Sequence, residues 1–546
     1  MTRRKYSACV LVAVVVAACG GSSSSDGTGG GTGGGSGGGS NSPMNTACTY
    51  FGGKTGGVGN DRAQGVCLIP GSENVVICGN TTSTDFASVY PGVPGWRKSV
   101  VGASDAYVAI LSKDLHSIFA WTYLGGAGED RAYGVQVDAN GDVWVVGFTG
   151  SVDFPAVGGG QPHTGAAHSW DAFIARFTPN LGVCEFSRCL GGTDDESPRA
   201  AFAVASTGEV YLSGMTASTD FPAQASPGNT LFDATANGDW DAWVAKLDPT
   251  GEIAWATYLG GADQESAWSG LRLAPDESAV YVAGFTRSDE DTDGFPATNA
   301  FDVTYNGDEG PAETSLGDGF VAKLSPTGAL LSCTYVGGSQ NETVSPNEGL
   351  FVAPNGDVLV IGATRSPENG AAPFPVTANA LDGTHNGPAG GTEGSDVFVA
   401  VLDPALANVT YCTYLGGSDH DDGAGIALDA RGRIVFTGDT SSLDFPVSAN
   451  AYRAKYQGAI DAIVCALSYD SVGSTLVYST YFGGGSIVGG GFEGDRGRGL
   501  AVRPSDGKLV FSGDTDVTDF PTTGFALVPD FVGGVSDAFA ALHSIE

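Results

Sequence analysis

Three aspartates in one short segment have the spacing of a calcium-binding loop. The segment reads Asp289-Glu290-Asp291-Thr292-Asp293-Gly294. Alternating carboxylates let a tight loop surround one hard cation, and the glycine allows the sharp turn. Alanines occupy positions 297 and 300, where a complete loop would supply two further ligands. The segment is therefore interpreted either as a Ca²⁺ site formed by Asp289, Asp291 and Asp293 or as an acidic solvated insertion, and no other cofactor is indicated.

Two further series of carboxylates recur at regular intervals. The first series opens a strand-like segment and comprises Asp105, Asp171, Asp241, Asp318, Asp396, Asp461 and Asp537. We interpret it as structural, because such side chains accept backbone N–H bonds where a loop enters a strand. The second series precedes another strand-like segment and comprises Asp61, Asp130, Glu196, Glu265, Glu342, Asp422 and Asp495. It is either an acidic ring on a binding face or a set of carboxylates held by neighbouring arginines such as Arg62, Arg131 and Arg496.

Cysteine and histidine give weaker indications. Cys67 and Cys78 lie on the two arms of one predicted hairpin, so we predict a disulfide between them. His163 and His168 share one loop, which is interpreted as an exposed polar loop or as a transition-metal site. The six histidines show no helical metal-binding pair, and no phosphate-binding loop is recognisable. No catalytic residue is therefore assigned.

These residues belong to a unit that occurs seven times. Six copies carry a tyrosine before a Gly-Gly pair, at Tyr50, Tyr123, Tyr258, Tyr335, Tyr414 and Tyr481, and Cys189 takes that place in the remaining copy. Each unit contains four short β-rich segments separated by Gly, Asn, Asp and Pro, which predicts a four-stranded antiparallel meander. The second segments, such as 143–146 and 358–361, are continuously apolar, which indicates burial on both faces. The pattern predicts an all-β fold, a single seven-bladed β-propeller.

Three details of this propeller follow from the repeat. The chain begins with a fourth-strand phrase and ends with a third strand, so segment 46–51 should pair antiparallel with 537–543 and close the last blade. The phenylalanine of each Asp-Phe-Pro phrase should fill space between blades. The loops that enter the first strand and the long loops between the second and third strands should emerge on one face, which we predict to be the binding surface.

Several recurring phrases resemble those of a known repeat family. Thr-Tyr-Leu-Gly-Gly, Asp-Arg-x-x-Gly, Ser-x-Asp-Phe-Pro and Asp-Ala-Phe-Val-Ala-Lys-Leu are similar to the bacterial SBBP repeats, over residues 46–546. The resemblance implies a seven-bladed propeller and an envelope or surface location, and it implies no defined activity. The chain departs from the pattern at Cys189, at Ala87 in place of a proline, and at Pro373 in place of an aspartate.

The first residues have the features of an export signal. Three basic residues precede an apolar segment at 8–18, which is too short to span a bilayer, so residues 1–18 are interpreted as a signal peptide. Val16-Ala17-Ala18-Cys19-Gly20 resembles the lipobox of bacterial lipoproteins, which predicts lipidation of Cys19; the alternative is an ordinary cysteine after a cleaved signal. The Gly/Ser-rich segment that follows completes a tether over 19–42, and the propeller should occupy 43–546.

Composition limits the classes of partner. The chain carries 61 acidic and 25 basic residues, a formal net charge of −36, which repels nucleic acid. We predict a monomeric, lipid-anchored protein of the outer membrane or cell surface that attaches to the membrane through its anchor and binds a protein or glycan on its loop-rich acidic face. The alternative is a secreted carbohydrate-active or other enzyme with its site in the central channel. The sequence favours non-catalytic binding over catalysis.

Overall fold

The described strands form seven separate antiparallel sheets. The computed structural model describes residues 46–53, 60–164, 169–199, 201–307, 317–387, 394–486, 494–523, 526–531 and 535–546. Each sheet is one meander, and the seven sheets are the blades of a seven-bladed propeller, as the sequence predicts. We call the four strands of a blade inner, second, third and outer. The predicted signal peptide, Cys19 and the tether lie outside the described residues.

The strand bounds follow the repeat closely. From inner to outer, blade 1 comprises Asp61–Leu68, Val75–Thr81, Asp105–Leu111 and Ile118–Leu124; blade 2 comprises Asp130–Val137, Val143–Thr149, Asp171–Phe177 and Cys184–Leu190. Blade 3 comprises Glu196–Ser197 with Phe202–Val204, then Val210–Thr216, Asp241–Leu247 and Ile253–Leu259; blade 4 comprises Glu265–Leu273, Val280–Thr286, Asp318–Leu324 and Leu330–Val336. Blade 5 comprises Glu342–Val344 with Leu350–Val352, then Val358–Thr364, Asp396–Leu402 and Val409–Leu415; blade 6 comprises Asp421–Leu428, Ile434–Thr440, Asp461–Tyr469 and Ser474–Phe482.

Blade 7 is built from both ends of the propeller. It comprises Asp495–Val502, Leu509–Thr515, Asp537–His543 and, as its outer strand, Ala47–Phe51. The register runs from Ala47 opposite Leu542 to Phe51 opposite Ala538, which confirms the predicted closure. A single short helix, Phe86–Val89, occurs in the described ranges, where no helix has the length and apolar character needed to cross a bilayer.

Aromatic side chains hold each blade together near its Gly-Gly end. The tyrosine hydroxyl that precedes Gly-Gly donates to a backbone carbonyl after the second strand of its own blade; for example, Tyr123 donates to Ser83 at 2.9 Å and Tyr335 to Ser288 at 3.0 Å. The phenylalanines of the seven Asp-Phe-Pro positions are all buried: Phe86, Phe154, Phe221, Phe295, Phe374, Phe445 and Phe520. Two of them fill space between blades as predicted: between ring centroids, Phe86 lies 5.4 Å from Phe51 of blade 7, and Phe520 lies 5.6 Å from Phe482 of blade 6. Others contact rings of their own blade. Phe154, for instance, lies 4.8 Å from Phe173 between ring centroids.

Candidate functional site at the central channel

The first carboxylate series has the structural role that the sequence predicts. Asp105 accepts hydrogen bonds from the backbone N–H groups of Val101 and Gly102, each at 3.0 Å. Asp461 accepts the equivalent bond from Gln457 at 2.7 Å. These carboxylates accept backbone N–H groups of the loop that leads into the third strand, which is the structural role that the sequence predicts.

Six of the seven predicted members of the second series are also structural, and both interpretations offered for the series are wrong at these six positions. Each carboxylate accepts the backbone N–H of the second glycine in the preceding Gly-Gly pair, at 2.7 to 3.0 Å. Hydroxyl groups from the end of the second strand add further bonds, as in Ser151 to Asp130 at 2.7 Å. The carboxylates are buried rather than displayed, and glycine and hydroxyl donors hold them instead of arginines. In blade 6 the residue at this position is Asp421 and not Asp422.

The two series meet at every junction between blades. An aspartate at the start of one third strand and an acid of the next inner strand approach the first glycine of Gly-Gly from two sides, as Asp105 and Asp130 do at Gly125. Burial raises the pKa of Asp130 to about 6, that of Glu265 to about 7 and that of Glu196 to about 8. A side chain larger than hydrogen on this glycine would collide with both carboxyl groups.

In the predicted calcium loop, the carboxylates accept hydrogen bonds from backbone N–H groups of the loop itself. Asp289 accepts hydrogen bonds from the backbone N–H of Asp291 at 2.8 Å and of Asp293 at 3.3 Å, and Asp293 accepts one from the N–H of Asp289 at 3.4 Å. Among the described residues, no group of three or more His, Cys, Asp or Glu side chains is arranged to hold a metal ion. Calcium binding by this loop stays a prediction.

The structure describes three of the four residues of the predicted disulfide and histidine sites. Cys67 and Cys78 are free thiols, and the register sets Val76 opposite Cys67 and Gly65 opposite Cys78. The side chain of His163 is buried, with Nε2 3.1 Å from the carbonyl oxygen of Ser169 and 3.8 Å from Asp171 Oδ1. His168, its partner in the predicted metal pair, lies outside the described residues.

The inner strands are irregular at equivalent positions about halfway along their length, and we refer to these positions as one level of the ring. The sequence pattern did not predict this irregularity. The ladder between the inner and second strands shifts register in blades 1, 2, 4, 6 and 7. Glycines at this level allow neighbouring inner strands to approach closely: a Cβ on Gly65 would lie 2.7 Å from the carbonyl oxygen of Tyr133. Bulges re-aim side chains that would otherwise pack between sheets. Here they bring Tyr133 of blade 2 within electrostatic range of Arg498 of blade 7, although these blades are not neighbours.

Two prolines cause a larger break in the remaining blades. Pro198 separates the two halves of the inner strand of blade 3, and Pro346 does the same in blade 5. Proline cannot donate a ladder hydrogen bond, so the strand opens there. The breaks leave Arg199 and Glu348 at the channel. A proline inside an otherwise regular inner strand is the sequence signal that could have identified both positions.

We call the residues at this level the bulge ring. It comprises Gln64, Tyr133, Arg199, Trp268, Glu348, Ala424 and Arg498. The side chains act on one another across the channel, because Arg199 of blade 3 and Arg498 of blade 7 both lower the pKa of Tyr133 in blade 2, against the effect of its burial. Glu348 of blade 5 accepts a hydrogen bond from the backbone N–H of Leu500 in blade 7 at 3.4 Å. These blades are not neighbours, so the bulge ring spans the channel.

One side of the channel is aromatic and cationic. Phe148 stacks on Trp170 with 4.9 Å between ring centroids and lies 5.6 Å from Tyr133. In blades 3 and 4, Trp268 forms a separate apolar cluster with Met215 and Phe285, against which the partly exposed Trp240 packs. The guanidinium of Arg199 lies over Tyr133 and Trp268 and joins these two aromatic groups.

The opposite side carries carboxylates. Asp422 and Asp439 are direct cross-strand neighbours in blade 6, and Asp514 of blade 7 forms an ion pair with Arg498. Burial and Asp439 raise the pKa of Asp422 to about 8, although Arg496 and Arg498 act in the other direction. Arg498, Arg62 and Arg496 outweigh burial at Asp514 and hold its pKa at about 2. The channel is therefore asymmetric in charge and polarity.

Comparison with known proteins identifies no family and no function for the chain. No protein-family model and no curated protein sequence matches the chain. One similar solved structure is an acylaminoacyl peptidase from Pyrococcus horikoshii, with a TM-score of 0.31, 10% identity, and coverage of 83% of this chain and 51% of that chain. Another is an α-L-arabinofuranosidase from Fusarium graminearum, with a TM-score of 0.31, 12% identity, and coverage of 75% and 91%. The chain thus spans about half the length of the peptidase that it matches.

Proposed function

We propose that this β-propeller is a non-catalytic binding protein of the bacterial envelope that takes its ligand into the central channel at the bulge ring. The observation that carries the proposal is the contrast between two sets of positions. The carboxylates, glycines and aromatic residues that recur in every blade form the blade junctions. The bulge ring has a different side chain in almost every blade, and those of Arg199 and Arg498 both act on Tyr133 in a third blade. Residues that vary on a repeated frame are suited to recognition.

The proposed location rests on the N-terminal sequence. A basic stretch, a short apolar segment and Cys19 before Gly20 are what a lipoprotein precursor requires, and we propose that acyl chains on Cys19 hold the protein on the outer membrane or cell surface. The repeated phrases that resemble SBBP repeats support the same location. The Gly/Ser-rich residues up to 42 would then separate the propeller from the bilayer and leave its channel accessible.

Site-specific photocrosslinking in intact envelopes tests this function. A benzophenone side chain replaces Trp240, which is partly exposed beside the channel, and in a control it replaces Val472, which is 88% exposed in a turn between third and outer strands. We expect an adduct from position 240 that excess unmodified protein competes away, and no such adduct from position 472. Equal adducts from both positions, or competition only at 472, would contradict binding at the channel.

A second candidate function has one specific observation in its favour. The Asp422 and Asp439 pair places a carboxyl group that stays protonated near neutral pH beside a second carboxyl group, which is the combination that general acid and base catalysis needs. The enzyme would act on a ligand held in the same channel. Hydrolysis of glycoside or peptide libraries that is lost in both Asp422→Asn and Asp439→Asn, with unchanged melting temperatures, would favour the enzyme over the binding protein.

A further inference from the structure

We propose that Arg199 is an anion-binding residue that receives a carboxylate or phosphate group of the ligand in the channel. This inference rests on the proposed function and names the chemistry of the ligand. It is carried by the position of the guanidinium, by the ion pairs of comparable cations, and by the charges that surround the channel.

Arg199 is held in place by rings instead of hydrogen bonds. Its guanidinium carbon lies 4.3 Å from the ring centroid of Trp268 and 5.4 Å from that of Tyr133. Its Nε is buried and has no hydrogen-bond partner among the described residues. Contact with ring faces fixes the plane of a guanidinium while leaving its N–H edge available. The guanidinium of Arg199 is therefore preorganised to donate to a hydrogen-bond acceptor that the chain itself does not supply.

The other ring-contacting cations among the described residues have an acceptor within the chain. For Arg97, Lys98 and Lys323 it is a backbone carbonyl group, and for three more it is a carboxylate. Arg176 lies 5.2 Å from the centroid of Trp144 and pairs with Glu185 at 3.3 Å. Lys246 lies 5.1 Å from Tyr211 and pairs with Glu209 at 2.7 Å. Arg131, which contacts Phe148, pairs with Glu129.

No carboxylate takes this place at Arg199. The titratable groups that act on its pKa within the described ranges are Tyr133, Arg498 and Arg131. Burial together with Arg498 and Arg131 lowers the pKa of Arg199, and these arginines with Arg199 also lower the pKa of Tyr133. Arg131 and Arg498 are paired with their own carboxylates, Glu129 and Asp514, so neither of these carboxylates neutralises Arg199.

An anion is the occupant that this arrangement favours. A charge that is removed from water without a partner is costly, and an oxyanion between the N–H groups would offset that cost. Carboxylate and phosphate oxygens match the forked geometry of a guanidinium, and the low dielectric constant of a partly enclosed channel strengthens the bond.

Titration with defined anions tests the assignment. Inorganic phosphate and glucuronate serve as probes of the two acceptor types, and the fluorescence of the channel tryptophans reports binding. We expect saturable binding of at least one probe that weakens as salt rises. Arg199→Gln should weaken it by about tenfold or more, since a charge-assisted hydrogen bond is lost. Arg199→Lys, which keeps the charge without the fork, should give an intermediate affinity.

Arg176→Gln is the matched control, because it removes a ring-contacting arginine on the outer part of blade 2 that already has its carboxylate partner. Its affinity for the probe should equal that of the wild type. Circular dichroism and melting temperatures confirm that both glutamine variants remain folded. Absence of saturable binding by the wild type, or equal binding by Arg199→Gln and the wild type, overturns the assignment. An unchanged photocrosslink from position 240 in Arg199→Gln would show that the anion inference fails while binding at the channel stands.

Discussion

The carboxyl groups of Asp318 in blade 4 and Glu342 in blade 5 lie on two sides of the Cα of Gly337. A Cβ at Gly337 would lie 2.5 Å from Asp318 Oδ1 and 2.9 Å from Glu342 Oε2. Both side chains are fully buried, and burial and then Glu342 raise the pKa of Asp318, while burial raises the pKa of Glu342 to about 7. Two carboxylates this close in a low-dielectric site do not both ionise readily, so the pair retains a proton in the folded state.

The first prediction is that the propeller is most stable at mildly acidic pH. Several buried acids have a pKa raised to between about 6 and about 8, among them Asp61, Glu196 and Asp421. Folding therefore binds protons, and the stabilisation is present below pH 4 and lost as the pH rises through 6 to 8. Each proton contributes a slope of about 1.4 kcal/mol per pH unit to the unfolding free energy. Denaturant unfolding at pH 5 and pH 8 should give a clearly lower midpoint at pH 8.

A variant isolates the contribution of one pair to this slope. Glu342→Gln removes the ionisable group and keeps an acceptor oxygen for one of its two donors, Gly338 N–H or Thr364 Oγ1, so stability should vary less with pH between 5 and 8 than in the wild type. Asp530→Asn, at an exposed position, is the control and should leave the slope unchanged. A slope in Glu342→Gln equal to that of the wild type would show that the pair holds no proton.

A second prediction concerns the glycine between the two carboxyl groups. Gly337→Ala should destabilise the protein by about 1–3 kcal/mol, because the new methyl group overlaps Asp318 and Glu342. Gly383→Ala is the control, since a Cβ there has no heavy atom within 4 Å; neither glycine has a positive φ. Urea unfolding measures both. Equal stabilities of the two variants would mean that the blade junction accommodates a methyl group with no loss of unfolding free energy.

The repeat predicted the blades and their junctions because the residues that form them have the same environment in every blade. The apolar second strands, the Asp-Phe-Pro phenylalanines and the closure by Ala47–Phe51 all follow from periodicity. The second acidic series was misjudged because periodicity shows that a carboxylate recurs, but it does not show whether that carboxylate faces water or a glycine N–H. Asp421 and Asp422 are adjacent in the chain, and only the hydrogen bond to Gly417 identifies Asp421 as the member of the series.

The channel could not be predicted in the same way. Tyr133, Arg199 and Arg498 lie in three different blades and come together only when the ring closes, so no local pattern links them. The bulges that bring such side chains together depend on contacts between neighbouring inner strands. Pro198 and Pro346 were visible in the sequence, yet a proline shows only where a strand opens and not what the freed side chains meet.

A third prediction retains the calcium hypothesis in testable form. If the loop at 289–293 binds Ca²⁺, the ion stabilises the folded state by RT ln(1 + [L]/Kd), about 2.7 kcal/mol at a hundredfold excess over Kd. Replacement of Asp289, Asp291 and Asp293 by alanine should abolish that gain in a thermal melt. A calcium-induced shift of the same size in the triple variant would place the ion elsewhere, and no shift in either protein would favour the solvated insertion.

A fourth prediction concerns the lipid anchor. Cys19→Ala should release the protein into the soluble fraction or leave an uncut precursor, because the acylated thiol is removed. Labelling with radioactive palmitate and detergent partitioning measure the effect. Cys9→Ala, within the predicted signal peptide, is the control and should still be labelled. Labelling of the Cys19 variant at the level of the wild type would contradict attachment at that residue.

The last prediction concerns closure of the ring. Ala47–Phe51 supplies the outer strand of blade 7, and Tyr50 donates a hydrogen bond to the carbonyl of Val517 at 2.9 Å. Deleting residues 43–52 removes this strand, leaves the third strand of blade 7 as an open edge and uncovers the core around Phe520 and Phe539, with which Tyr50 packs. We expect aggregation or a large fall in melting temperature, since an unpaired apolar edge is a template for association. Deleting residues 20–42 leaves the described strands intact and should not change the melting temperature. A protein without 43–52 that stays monomeric and melts with the wild type would show that pairing of the two terminal strands does not hold the propeller closed.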